Sequence, residues 1–273
     1  MADTQDRTTR PPVALTIAGS EATGGAGAQA DLKTFQALDV FGMIALTCIV
    51  SFDPKNDWGH RFVPVDPQVI ADQLEAQFAA YTPDAVKIGM LGTPATIETV
   101  AAALEGRPVP HLVLDPVLIC KGQEPGAALD TDNALKARIL PLATFVTPNH
   151  FEAMALSGRD RIDDVDDLIA AAKTIHETSG ATVLAKGGVR IAGPDAVDVF
   201  YDGTALELLS APKVGEHAVS GAGCTLAAAV TAELAKGATA LQAAAAAKEA
   251  VTAGIHARIG SGAPFDAVRQ LNR

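Results

Sequence analysis

The sequence predicts an α/β protein with a mainly parallel sheet, and three observations carry that prediction. Short runs rich in β-branched residues alternate with helical patterns of roughly 10 to 20 residues, the rhythm of βαβ units. Several of these runs are almost continuously apolar, as strands are when helices cover both faces of their sheet. Late in the chain, two further runs flank Asp202-Gly203, a turn pair suited to an antiparallel hairpin.

In chain order, strands are expected at Val13–Gly19, Met43–Ser51, Ala85–Leu91, His111–Val117, Thr144–Thr147 and Thr182–Lys186. The hairpin adds Ala196–Tyr201 and Leu206–Ser210. Residues 18–31, AGSEATGGAGAQAD, follow the first strand and open a helix. Asp66-Pro67 and Thr93-Pro94 each set a capping oxygen before a proline at the first helical position, which starts helices over Pro67–Tyr81 and Pro94–Leu104. Asp163–Ser179 carries acids in its first turns and stops before Gly180; residues 220–235 form an apolar helix; and the alanine-rich Thr239–Ile259 should lie close against its neighbours. The polar connections Phe52–Pro64 and Cys120–Gly126 leave room for a small lid. With no composition break or linker, residues 13–273 read as a single domain, behind a frayed tail at 1–12.

Composition narrows the function. Of 273 residues, 48% are hydrophobic and 19% charged, which excludes a disordered or collagenous chain. The net charge of -11, from 21 Lys+Arg against 32 Asp+Glu, offers no general positive field to collect phosphates. Nucleic acid and anionic membranes are therefore not expected partners, and an anionic substrate has to be held locally. No run approaches the roughly 18 apolar residues of a membrane span. Cys48, Cys120 and Cys224 stand far apart without C-x-x-C pairing, which fits reduced thiols and a cytoplasmic location.

Two glycine-rich stretches could carry chemistry. In the first, Gly24, Gly25 and Gly27 allow close backbone approach at a helix N-terminus, where unpaired N–H groups favour an anion or polar ligand. Its spacing is neither a Walker A loop nor a dinucleotide fingerprint, and a purely structural turn remains open. In the second, Gly221, Ala222, Gly223 and Cys224 head an apolar helix, so successive N–H groups can form an anion hole for a phosphoryl group in flight. A tight helix start around a buried cysteine is the competing reading.

Together with their neighbours, these stretches resemble the ribokinase-like superfamily and, within it, the hydroxymethylpyrimidine kinase and pyridoxal kinase branch. The resemblance rests on LTIAGSEATGGAGAQADLKTFQAL near the start, KIGMLGT at 87–93, LDPVL at 114–118, VTPNHFEA at 146–153, AKGG at 185–188 and GAGCT at 221–225. It implies a three-layer αβα sandwich around a mainly parallel sheet, with ATP and a hydroxymethyl heteroaromatic alcohol meeting at the strands' carboxyl ends, where open α/β sheets bind ligands. It further implies that Gly19 and Asp31 hold the polar edge of the ring while Met90 and Val117 pack on its faces. Asp115 and Glu152 would hold Mg²⁺, and Asn149, Lys186, Gly188 and Gly223 would hold ATP. Gly221, Ala222, Gly223 and Cys224 would be the catalytic anion hole. Each assignment has a plainer competitor: Asp31 as a first-turn acid, Asn149 as a cap, Glu152 as a solvated helix-face acid, and Met90 and Val117 as core.

Three departures bear on chemistry. Much of the superfamily ends the anion-hole motif with Asp, and here Cys224 stands there, as in this branch. A thiol ionising near about 8.5 serves as base only if the helix N-terminus and nearby cations lower it, which this context favours. Ser220 occupies the place of a histidine frequent in the branch, with His217 three residues earlier. Pyrimidine-specific members carry a glutamine after the second strand, and this sequence offers Phe52, which can stack on a pyridine. Cys120 is either a thiol positioned to add to the pyridoxal aldehyde or a buried strand-end residue.

The resemblance thus implies an ATP- and Mg²⁺-dependent kinase of pyridoxal, pyridoxine or pyridoxamine, serving vitamin B6 salvage as a homodimer, and closest to the bacterial pyridoxal kinases of the branch. The alternatives are a hydroxymethylpyrimidine/phosphomethylpyrimidine kinase of thiamin biosynthesis and a non-catalytic vitamer-binding protein.

Overall fold

The computed structural model describes residues 10–107, 109–118 and 125–271. In chain order the elements are β1 (Val13–Glu21), α1 (Gly27–Ala37), β2 (Phe41–Asp53), β3 (Gly59–Pro64), α2 (Pro67–Ala80), β4 (Ala85–Ile88), α3 (Pro94–Leu104), β5 (Leu112–Leu114) and α4 (Pro125–Arg138). They continue with β6 (Phe145–Val146), α5 (His150–Ser157), α6 (Val165–Ser179), β7 (Thr182–Lys186), β8 (Asp195–Tyr201), β9 (Leu206–Pro212), α7 (Ala222–Ala235) and α8 (Ala240–His256). One sheet runs β3-β2-β1-β4-β5-β6-β7-β8-β9. From β2 to β7 every neighbouring pair is parallel, and both ends are antiparallel.

Alternation along the strands divides the interior into layers. Leu15, Ile17, Val86, Ile88, Leu114 and Val146 meet Ile70 of α2, Ile97 of α3 and Leu135 of α4 on one face. On the other, Val113, Phe145, Leu184 and Phe200 meet Phe35 of α1 and the small residues of α7 and α8. A third cluster joins α5 and α6 to Val183, Ala185 and Val199. The expected αβα sandwich with a late antiparallel hairpin is the observed architecture.

The local signals act as expected. Asp66 accepts from the Gln68 N–H before Pro67, Thr93 from Thr96 before Pro94, and Asp164 from Asp167 at the start of α6. Thr239 and Gln242 cap α8 reciprocally. The strands expected at Ala85–Leu91 and His111–Val117 are shorter than the apolar run suggests. Leu91 and Leu118 lie past the strand ends, buried in the core against the helices instead of paired in the sheet.

Three expectations change. The connection Phe52–Pro64 is not a free lid: β2 runs on to Asp53 and pairs antiparallel with β3, from Cys48 opposite Pro64 to Asp53 opposite Gly59. The second lid candidate lies largely outside the described residues. The tail is anchored at its inner end, where Arg10 makes two bonds to Asp84, at 2.8 and 3.0 Å. Residues 1–9 lie outside the described ones. Helix α4 was not expected, because its evenly mixed polar and small residues show no apolar stripe.

Leu15 sits fully buried in the central strand β1. Leu15→Ala should therefore lower the unfolding free energy in urea by about 2–5 kcal/mol. Val63→Ala, on the exposed edge strand β3, should stay within about 0.5 kcal/mol of the parent. Equal effects of the two would contradict this core assignment.

Candidate active site

Polar groups gather at the carboxyl ends of the parallel strands, on the face that carries α1 and α7. In β4 the alternation that buries Val86 and Ile88 on one side turns Lys87 to the other. There it has no solvent exposure and meets Asp31 of α1 at 2.9 Å, also with none. Thr16 of β1 donates to the same Asp31 oxygen at 2.6 Å, while Oδ1 finds no partner among the described residues. Burial pushes the Asp31 carboxyl upward against the pull of Lys87 and Thr16. Burial works against the Lys87 charge, but Asp31, with Cys224 and Asp115 behind it, holds Lys87 above its ordinary value.

A second charged group lies alongside. Lys186, at the end of β7, meets Asp115 at 3.1 Å just past β5, and Thr147 donates to Asp115 at 3.3 Å. Burial opposes the Asp115 charge, yet Lys186 and Lys87 hold its carboxyl below the usual range. Glu152 is buried at the head of α5, where it and Asn149 form a capping box: the Asn149 N–H donates to Glu152 at 2.8 Å and the Glu152 N–H to Asn149 Oδ1 at 3.0 Å. Burial, with Asp115 nearby, raises Glu152 to about 8 despite Lys186. Lys186 loses stability as a cation through burial but is held protonated by Asp115 and Glu152.

The two glycine-rich loops lie against each other. Gly221 adopts φ +78°, and a Cβ there would collide with the Gly25 carbonyl, so a glycine is needed to start α7 at this point. Lys186 Nζ comes within 3.3 Å of where a Cβ on Gly223 would stand, which leaves the loop backbone open beside the ammonium. Gly221 through Cys224 are half-buried, as an anion hole facing a ligand requires.

Several sequence-based assignments are refined. The first loop does not present free N–H groups to an anion. Glu21 already accepts from Thr23, Gly25 and Ala26 at 2.6, 3.0 and 3.1 Å, and the Gly27 N–H bonds to Cys224. Asp31 is neither a first-turn acid nor open to a ligand; it faces Lys87. Asn149 caps α5 as the plainer reading held, and Glu152 is buried, not solvated. Burial raises the Cys224 thiol to about 11, only partly offset by Lys87, so the expected lowering is corrected: at neutral pH the thiol keeps its proton.

Gly19 is buried beside Cys48 near the end of β1. Met90 and Val117 are half-buried past β4 and β5, and Thr47 donates to the Met90 carbonyl at 2.6 Å. Phe52 is half-buried with its ring already packed, 4.8 Å from His60 and 4.9 Å from Phe265. Gly188 follows Lys186 in the turn after β7. His217 is exposed, and Ser220 bridges to Ala267. Cys120 lies outside the described residues.

Lys87 and Glu21 escaped sequence reasoning. The signal for Lys87 was present: a lysine in the middle of an apolar strand, AVKI, needs a buried acid. Glu21 gave none, because its partners are backbone N–H groups and the Thr23 hydroxyl.

The family model for phosphomethylpyrimidine kinase matches residues 21–268. Pyridoxine kinase of Bacillus subtilis is 48% identical over 242 residues, 89% of each chain. The crystal structure of an ADP complex of Bacillus subtilis pyridoxal kinase matches with a TM-score of 0.90 at 45% identity, over 96% of this chain and 98% of that one. Pyridoxal kinase from Staphylococcus aureus, in complex with AMP-PCP and pyridoxal, matches at 0.88 and 38% identity, over 95% and 93%. Phosphomethylpyrimidine kinase from Clostridium difficile 630 matches at 0.76 and 33%, over 89% and 99%.

The Glu152 carboxyl moves from an ordinary 4.5 to about 8. The folded chain then keeps a proton that the unfolded chain releases between those values, so stability falls as pH rises across that window. Glu152→Gln removes the loss and keeps the cap. Its urea midpoint relative to the parent should be nearly constant below pH 4.5 and rise steadily toward pH 8. A difference independent of pH would show that Glu152 ionises normally.

Proposed function

The chain belongs to the phosphomethylpyrimidine kinase family, and from that membership we propose that it transfers the γ-phosphate of ATP to the 5′-hydroxymethyl group of pyridoxal, pyridoxine or pyridoxamine. It is an ATP-dependent phosphotransferase. One observation carries the choice of acceptor: the likeness to a pyridoxal kinase exceeds that to a phosphomethylpyrimidine kinase, 0.90 against 0.76 in TM-score and 45% against 33% in identity. Phe52 favours the same choice, since its ring cannot hydrogen-bond an aminopyrimidine.

Phosphoryl transfer asks mainly for positioning and charge stabilisation. In this reading the N–H groups of Gly221, Gly223 and Cys224 receive the oxygens of the γ-phosphoryl group, since that of Ala222 is taken by the Val219 carbonyl at 3.3 Å, and Lys186 faces the same charge. Gly188 and Gly223 leave the backbone bare for phosphate. Asn149 offers its side-chain NH₂, because its Oδ1 is taken by the cap. The acceptor ring lies against Gly19, Met90 and Val117, with Phe52 at its edge. Asp31 acts from behind, by holding Lys87 charged under the site.

Mg²⁺ fits the donors present. Asp115 and Glu152 are hard oxygen ligands, and Glu152, raised by burial and then by Asp115, would have its charge relieved by a divalent cation. When bound, it would supply charge neutralisation for the ATP phosphates.

The reading extends to residues 13–273 acting as one domain, supported by the single sheet through them. It extends also to a cytoplasmic homodimer with a small-molecule acceptor and no nucleic-acid or membrane partner. The acidic net charge supports this, and no described helix is long and apolar enough to cross a membrane.

Cys224 receives the acceptor proton as the new O–P bond forms and the bond to ADP breaks. Only the thiolate can do so, and with the thiol at about 11 in the free protein its fraction grows with pH. Wild-type kcat/KM should therefore climb from neutrality toward 11. Cys224→Ala should lose that slope and about 10²- to 10⁴-fold of kcat. Parental rates in the variant would leave the work to the anion hole alone.

ADP release, measured with the three vitamers and with hydroxymethylpyrimidine, tests the acceptor. Pyridoxal should show the higher kcat/KM. Phe52→Gln should move the ratio toward the pyrimidine by roughly 5- to 150-fold, the equilibrium worth of one unmatched polar group. A parent that prefers the pyrimidine makes the thiamin-pathway kinase the better description. Tight vitamer binding without ADP release makes it a binding protein.

A further inference from the structure

Lys186 and Asp198 face each other across the antiparallel ladder of β7 and β8. Cross-strand partners put their side chains on one face of the sheet at neighbouring positions, where opposite charges attract. The two nevertheless do not pair. Lys186 extends to Asp115 at 3.1 Å, whereas Asp198 accepts from Lys248 of α8 at 2.8 Å. Lys248 is buried, as Asp198 is, and donates a second bond to the Ala196 carbonyl at 2.8 Å. A buried ion pair of this kind is commonly no more stabilising than an apolar pair of the same volume.

The other Asp198 oxygen accepts the Gly187 N–H at 3.1 Å, and that N–H also reaches the Val197 carbonyl at 3.1 Å. A Cβ on Gly187 would collide with the Val197 carbonyl, so the turn directly after Lys186 is drawn hard against β8. One carboxylate therefore connects α8, β8 and the Gly187-Gly188 turn.

We infer that Lys248 is a positioning residue for the nucleotide: by occupying Asp198 it keeps that carboxylate on the Gly187 turn and away from Lys186, whose ammonium is left directed at Asp115 and the anion hole. The inference rests on the kinase reading above, in which Lys186 faces the ATP phosphates. Lys248 itself touches no reacting group. Without its ammonium, Asp198 is left opposite the cross-strand Lys186, and capturing it would withdraw charge from the phosphate site.

Calorimetric titration with ADP, together with steady-state KM values for ATP and pyridoxal, tests this. Lys248→Met should weaken ADP binding and raise the KM for ATP about tenfold, within the range of coupling energies between contacting residues, and leave the KM for pyridoxal unchanged. Adding Asp198→Asn should restore most of the loss, because asparagine can still accept from Gly187 but no longer attracts Lys186. A merely structural role for the pair would make the double variant at least as impaired as the single one. If Lys248→Met does not fold by circular dichroism, Lys248→Gln, able to donate to Ala196, replaces it with the same expectations. Unchanged ADP affinity in the single variant, or no recovery in the double, overturns the inference while the kinase reading stands. A parent chain that binds no ADP overturns both.

Discussion

Lys87 and Asp31 have no access to water, so each needs the other's opposite charge beside it. That requirement fixes where α1 lies on the sheet. Once Asp31 sits over β4, the start of α1 falls beside the end of β1, with the Gly27 N–H at Cys224 and the Gly25 carbonyl against Gly221. The loop that begins α7 is thereby seated on the loop that begins α1. The pair does not hold the fold together through its own energy, since an apolar pair could pack there as well. Its consequence is a cation under the site that solvent cannot screen.

The same logic spreads outward along the strand ends. Lys186 is shared by Asp115 and Glu152, and Asp198 is claimed by Lys248. Each of these lysines has an acid at ion-pair distance. In a chain with a net charge of -11, that pairing keeps positive charge at the strand ends, where the kinase reading puts the ATP phosphates. Three lysines, Lys87, Lys186 and Lys248, sit among these acids with their partners set by the fold.

The aromatic groups follow a different rule. Phe52 contacts both His60 of β3 and Phe265 near the C-terminal end, and Trp58 packs edge-on to Phe265 at 5.9 Å. The segment around Phe265 is also bonded to the anion-hole loop, since the Ser220 N–H donates to the Asp266 carbonyl at 2.8 Å and the Val268 N–H to the Ser220 carbonyl at 3.0 Å. Phe52 and the loop that begins α7 are therefore tied by one strap of backbone.

The sequence by itself determined the strand and helix order, most helix starts and the two glycine loops. These depend on signals local to a few residues: short, almost continuously apolar β-branched runs, an acid or threonine before proline, and glycine where a helix begins. It also placed Asn149, Glu152, Lys186 and Cys224 at element ends, and the family resemblance joined them into one site. Only the tertiary structure decided the electrostatics. Whether Cys224 is a thiolate, whether Glu21 fills the first loop and whether Asp31 meets a ligand or Lys87 all turn on burial and on partners tens of residues away. Lys248 stands 50 residues from Asp198 and Lys87 stands 56 from Asp31, and no local pattern records separations of that kind. The β3 strand was hidden for a similar reason: its polar sequence becomes a strand only because β2 continues far enough to pair with it.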